Sequence, residues 1–145
     1  MLHWRKSMRV LVDTNILLDA LLGREPYFDN ADKIIKLCAD KKIEGFMAAH
    51  SIPNIFYILR KDMSEENRRE VLLNLCNILM VEGIDLTKLM SALQNKNFSD
   101  LEDCLQSICA RNIKANYIIT RNIKDFTNSE IPAILPDDFL NIMTK

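Results

Sequence analysis

The stretch Val10–Leu18, VLVDTNILL, sets three polar residues between two apolar runs, and its reading decides the fold. The segment Met8–Val12, MRVLV, is a short, mostly apolar run, the pattern of a parallel strand covered on both faces. Asp13 stands where that run stops, at the C-terminal end of the strand, the edge at which open α/β sheets bind ligands. Asp, Thr and Asn are also good helix N-caps, and ILLDALL beyond them is apolar enough for a buried helix. Capping accounts for one polar residue but not for three, so Asp13 is read both as a cap and as a candidate functional carboxylate.

Working outward, helix-period segments alternate with short apolar runs. Phe28–Ile43 carries Ile34, Ile35, Leu37 and Cys38 on a helical period, and EGFMAA follows as a strand. Ser51 is positioned to cap a helix that tolerates Pro53 in its first turn and turns Ile55, Phe56, Ile58 and Leu59 inward. Ser64 caps the next helix, with Glu65 and Glu66 favouring its dipole, and ILMVE closes that segment as a strand. LTKLMSALQN and FSDLEDCLQSICARN read as helices, NYIIT as a strand, and PAILPDDFLNIM follows as the final segment. The alternation predicts an α/β fold with a central, mainly parallel sheet of four to five strands wrapped by helices.

The chain has 145 residues, enough for one domain that buries about two thirds of its unfolded surface. Met8 directly precedes the first strand, so residues 1–7 are read as an extension and 8–145 as a single domain. A net charge of −1 provides no global basic field, so any nucleic-acid contact must come from a local patch. The four cysteines form no Cys-x-x-Cys pair, which argues against a zinc or redox motif and for buried thiols in a reducing cytoplasm. No apolar run approaches the ~20 residues of a membrane span.

Two later segments resemble the opening one chemically. YIITRN repeats its outline, an apolar run followed by polar residues through Asn122, and the two strand ends are expected side by side. SDLEDCLQ supplies acids: Ser99 and Glu102 have capping-box spacing, which leaves Asp100 and Asp103, within about 60° of each other on a helix, to point one way. Alone, such acids read equally as a solvated first turn favoured by the helix dipole.

Taken in order, LVDTNILLD, DLEDCLQSICA and YIITRNIKDF resemble the motifs of the PIN domain family, and more closely its small single-domain members, which include VapC-type toxins. PAILPDDFL is similar to the family's closing strand and helix. The resemblance implies a metal-dependent endoribonuclease, with Asp13, Asp100, Asp103 and Asp125 as catalytic acids. Asp13, Asp100 and Asp103 would be ligands of Mg²⁺ or Mn²⁺, and Thr14, Asn54, Thr120 and Asn122 would be supporting or substrate-binding residues. It also implies an RNA substrate, a cognate antitoxin and a homodimer. Hard oxygen ligands around such ions suit converging carboxylates.

One departure stands out. Asn54 occupies a position where the family commonly has an acid, so a degenerate domain that binds RNA or protein without cutting is the alternative reading. A haloacid dehalogenase-type phosphotransferase would need an acid where Asn15 stands. Asn15 itself is read as structural. His50 reads as a cap or core-edge hydrogen-bonder, and Arg60, Lys61, Arg68 and Arg69 as a solvated helix face or a local basic edge.

Overall fold

The computed structural model describes residues 7–145, so the extension read over residues 1–7 lies almost wholly outside the described residues. Five strands form one parallel sheet in the order β3-β2-β1-β4-β5: β1 Arg9–Val12, β2 Glu44–Ala48, β3 Met80–Glu82, β4 Tyr117–Ile119 and β5 Ala133–Ile134. The strands alternate with α1 Thr14–Leu22, α2 Phe28–Ala39, α3 Ser51–Ile58, α4 Glu65–Ile78, α5 Leu86–Gln94, α6 Leu101–Asn112 and α7 Pro136–Met143. The expected α/β architecture is therefore observed, at the upper end of the expected strand count.

Strand β1 shows why an unbroken apolar run marks a central strand. Val10 and Val12 pack on one face, with Ile34, Met47 and Phe139, while Leu11 packs on the other with Cys109, Ala110 and Ile118. All three β1 residues are fully buried. No polar alternation is possible for a strand with helices on both sides.

Helix starts follow sequence rules in part. Ser64 caps α4, its hydroxyl accepting from the Asn67 amide at 3.1 Å. Ser51 does not cap α3; it is the first helical residue, fully buried, and its hydroxyl meets Thr14 Oγ1 at 2.7 Å. The expected capping box at α6 is also absent. Asp100 is the N-cap, its Oδ1 accepting from the Asp103 amide at 2.9 Å, so it precedes the helix instead of sharing a face with Asp103. Asp100, a good cap one residue nearer the helix, takes the place expected of Ser99. Of the four cysteines, Cys38, Cys104 and Cys109 are buried, but Cys76 is exposed on α4, correcting the reading of four buried thiols. Burial pushes the Cys38 thiol up to about 12 and that of Cys109 up to about 11, which keeps both protonated.

Helix α5 is inverted. Its inner face carries Lys88, Ser91, Ala92 and Asn95, whereas Leu86, Leu89, Met90 and Leu93 face outward. Among the described residues no helix is long and apolar enough to cross a membrane.

Candidate active site

The sheet order places a topological switch between β1 and β4. The chain leaves β1 for β2 and β3 on one side, then returns to lay β4 on the other, so the C-terminal ends of β1 and β4 diverge around a crevice. Val12 pairs in register with Ile119, and the Asp13 amide donates to the Ile119 carbonyl at 3.0 Å. The two polar strand ends noticed in the sequence are thus neighbours.

Asp13 is the cap expected of it, and its carboxylate also meets the end of β4. It is the N-cap of α1, with Oδ1 accepting from the Thr14 amide at 2.8 Å, and its Oδ2 accepts from the buried Thr120 hydroxyl at 2.9 Å. Thr120 Oγ1 in turn accepts from the Asn122 amide at 3.0 Å, which fixes the hydroxyl as the donor toward Asp13. Burial raises the Asp13 carboxyl above its ordinary value, against these two hydrogen bonds.

A pocket of about 250 Å³ opens over this carboxylate, lined by Asp13, Thr14, Asn15, Asn54, Asp100, Glu102, Asp103, Gln106, Asn122 and Asp125 together with Leu18 and Ile58. Of the residues singled out from sequence, all four acids and Thr14, Asn54 and Asn122 reach it, and Thr120 sits behind Asp13. The Thr14 hydroxyl does not meet a carboxylate; it belongs to a triangle with Ser51 and the Gln106 amide, which donates to both hydroxyls at 3.1 Å. Asp103 is pushed up to about 7, first by desolvation and then by the negative charges of Asp100, Asp13, Asp125 and Glu102. That repulsion is the electrostatic signature of carboxylates sharing one space.

The donors are hard oxygens, and the pocket has room for several waters at about 30 Å³ each. Among the described residues no group of three or more His, Cys, Asp or Glu side chains forms a ready-made metal cage. The acidic lining therefore fits a hydrated divalent cation held partly through water, as Mg²⁺ prefers, with Asp13, Asp100 and Asp103 as the residues that could hold it.

The PIN domain model matches residues 9–124, a span that contains every strand except β5 and every acid of this pocket except Asp125, which stands one residue beyond it. The chain belongs to the PIN domain family. Over 136 residues it is 24% identical to ribonuclease VapC1 of Aquifex aeolicus, covering 92% of this chain and 94% of that protein. Its PIN fold is similar to that of Mycobacterium tuberculosis VapC20, a sarcin-ricin loop cleaving toxin, with TM-score 0.66 and 12% identity over 86% of this chain and 98% of that one. It is similar also to a chain of a toxin-antitoxin complex from Klebsiella pneumoniae, with TM-score 0.64 and 23% identity over 88% and 97%.

Within this PIN domain, Glu102 and Gln106 were not anticipated as site residues. Gln106 lies one turn beyond Glu102 inside an apolar stripe, and a lone amide in such a stripe was its only signal. Asp19 was missed as well. It is fully buried, held by Arg121 at 2.7 and 3.2 Å with Arg24 at 3.7 Å, and the Arg121 guanidinium stacks 3.9 Å from the Tyr27 ring. The network ties α1 to the segment after β4. His50 is at the N-cap of α3, and burial lowers its pKa; neither ring nitrogen has a hydrogen-bond partner among the described residues. Arg60 stacks on Tyr57, Arg68 of α4 stacks across on Phe56 of α3, and Arg69 pairs with Glu65 at 3.2 Å, so these cations are engaged with neighbouring side chains.

Proposed function

We propose that this protein is a metal-dependent endoribonuclease of the toxin type, which hydrolyses RNA phosphodiesters at the acidic pocket and is restrained by a protein antitoxin. The observation that carries the reading is the set of carboxylates around one crevice at the C-terminal edge of the sheet, with Asp103 pushed up to about 7 by burial first and then by its acidic neighbours. The resemblance to ribonuclease VapC1 and to toxin-antitoxin assemblies supports the RNA substrate and the antitoxin.

Asp13, Asp100 and Asp103 would hold Mg²⁺ or Mn²⁺. When bound, the cation lowers the pKa of a coordinated water and polarises the phosphoryl oxygen. Thr120 and the Thr14 amide fix both oxygens of Asp13, so this carboxylate offers its remaining lone pairs in one direction. Asp125 faces Asp13 and Asp103 electrostatically and accepts a hydrogen bond from the attacking water. Asn122 is uncharged and contributes a hydrogen bond to water or to a phosphate oxygen. A homodimer is part of the proposal.

A fluorogenic RNA cleavage assay with Mg²⁺ or Mn²⁺ tests it. Asp13→Asn and Asp103→Asn are each expected to lower the rate by about a hundredfold. Equal rates in all three proteins would assign the cleavage to a contaminant, and metal binding without cleavage would leave the non-catalytic binding module.

A further inference from the structure

We infer that Glu102 is a further cation-holding residue of this pocket and that Asn54 aims it. The inference rests on the ribonuclease reading above and concerns the wall of the pocket built by α3. That wall contributes Asn54 and Ile58 to the lining and has no charge of its own. Facing it is Glu102, in the first turn of α6, whose Oε2 accepts from Asn54 Nδ2 at 3.3 Å.

The usual occupation of an acid at this helical position is to bond the helix's own first amides. Here Asp100 has taken that place, accepting from the Asp103 amide. Asn54 is the hydrogen-bond partner that remains for the Glu102 carboxylate among the described residues. An amide donor from a neighbouring helix turns a flexible side chain toward the crevice without neutralising it, which a lysine or arginine would do. The second oxygen stays available.

An independent feature points to a proton-donating ligand in the same space. Gln106 lies one turn beyond Glu102, lines the pocket and is only 2% exposed. Its amide nitrogen is spent on Thr14 and Ser51, and its Oε1 is buried with no hydrogen-bond partner among the described residues. A buried, unpaired carbonyl oxygen is costly, and the water shell of a hydrated cation supplies the donors that satisfy it. Glu102 and Gln106 thus form one edge of the ion's environment, an anionic acceptor above a neutral one.

Mn²⁺ titration of the intact protein by calorimetry, beside thermal melting and the cleavage assay, tests this role. Glu102→Gln is expected to weaken Mn²⁺ binding about tenfold or more with little change in melting, because the side chain is exposed at the rim. Asn54→Ala should weaken it by less, and its effect should vanish in the Glu102→Gln background, since an aiming residue acts only through what it aims. Glu66→Gln on α4 is the control. Mn²⁺ affinity of Glu102→Gln within twofold of wild type, with Asp103→Asn impaired, would make Glu102 a solvated helix acid and leave the functional reading intact. If the wild type bound no Mn²⁺ and cut no RNA, both readings would fall together.

Discussion

Asp103 couples the pocket's charge to the stability of the fold. Its carboxyl is pushed up to about 7 in the folded chain, whereas an unfolded chain releases that proton near the ordinary 3.8. A raised acid pKa favours the folded state fully below the unfolded value, and the contribution is lost as pH rises through the folded value. Asp103→Asn removes this dependence. In chelator, the variant should gain on wild type by about 1–2 kcal/mol between pH 5 and pH 8, a figure discounted for the partial solvent exposure of the group. Mn²⁺ should restore the wild type at pH 8 and leave the variant unmoved. Denaturant melts at the two pH values decide it; a constant difference between the proteins would mean that Asp103 does not feel its neighbours. Asp13 was legible from sequence as a strand-end cap, but its second bond was not, because Thr120 reaches its other oxygen only when β4 pairs beside β1. The Asp19–Arg121 pair was not legible, since a buried acid in an apolar helix reveals its partner only when the chain closes from 102 residues away.

At the scale of elements, the alternation of apolar runs and helical periods was enough to expose the parallel sheet, because a strand covered on both faces has nowhere to put a polar residue. Helix starts were less legible. Ser51, Ser99 and Asp100 are all acceptable caps: a tertiary contact drew Ser51 to Thr14, whereas Asp100 displaced Ser99 through a local bond to the Asp103 amide. Gly45 lies inside β2. Its missing side chain is what lets α2 and α4 pack down, because a Cβ there would meet Cys38 Sγ and stand 2.6 Å from Leu79 Cδ2. Gly45→Ala should therefore cost about 1–3 kcal/mol by overpacking. The same substitution should cost less in a Cys38→Ala background, where space has been made. Urea unfolding of the four proteins measures the difference, and additivity would show that the Cys38 contact is not the source of the strain.

At the scale of the whole molecule, α5 is the element whose sequence contradicts its packing. Its apolar residues sit at i, i+3, i+4 and i+7, the stripe of a core-facing helix, yet Leu86 is 69%, Leu93 67%, Met90 48% and Leu89 37% exposed. The charged residue of α5, Lys88, is turned inward to Glu82 at 3.4 Å. A second copy of the chain therefore meets no like charge on this face. An antiparallel pairing about a twofold axis sets Leu86 against the partner's Leu93 and the middle residues against their own copies. These side chains present roughly 400 Å² of apolar surface per copy, within the range of the largest patch a monomer leaves uncovered. Paired, and rimmed by Thr87 and Gln94, they bring the buried total to roughly 1,000–1,200 Å², the lower bound for a specific dimer. The proposed homodimer is accordingly expected to close over α5. Sedimentation velocity at tens of micromolar should give a dimer for wild type and a monomer for Leu86→Glu/Leu93→Glu, with circular dichroism unchanged because neither side chain supports the monomer's core. A monomeric wild type would remove the dimer from the proposal, and a double variant that sediments as the wild-type dimer would move the interface to another face.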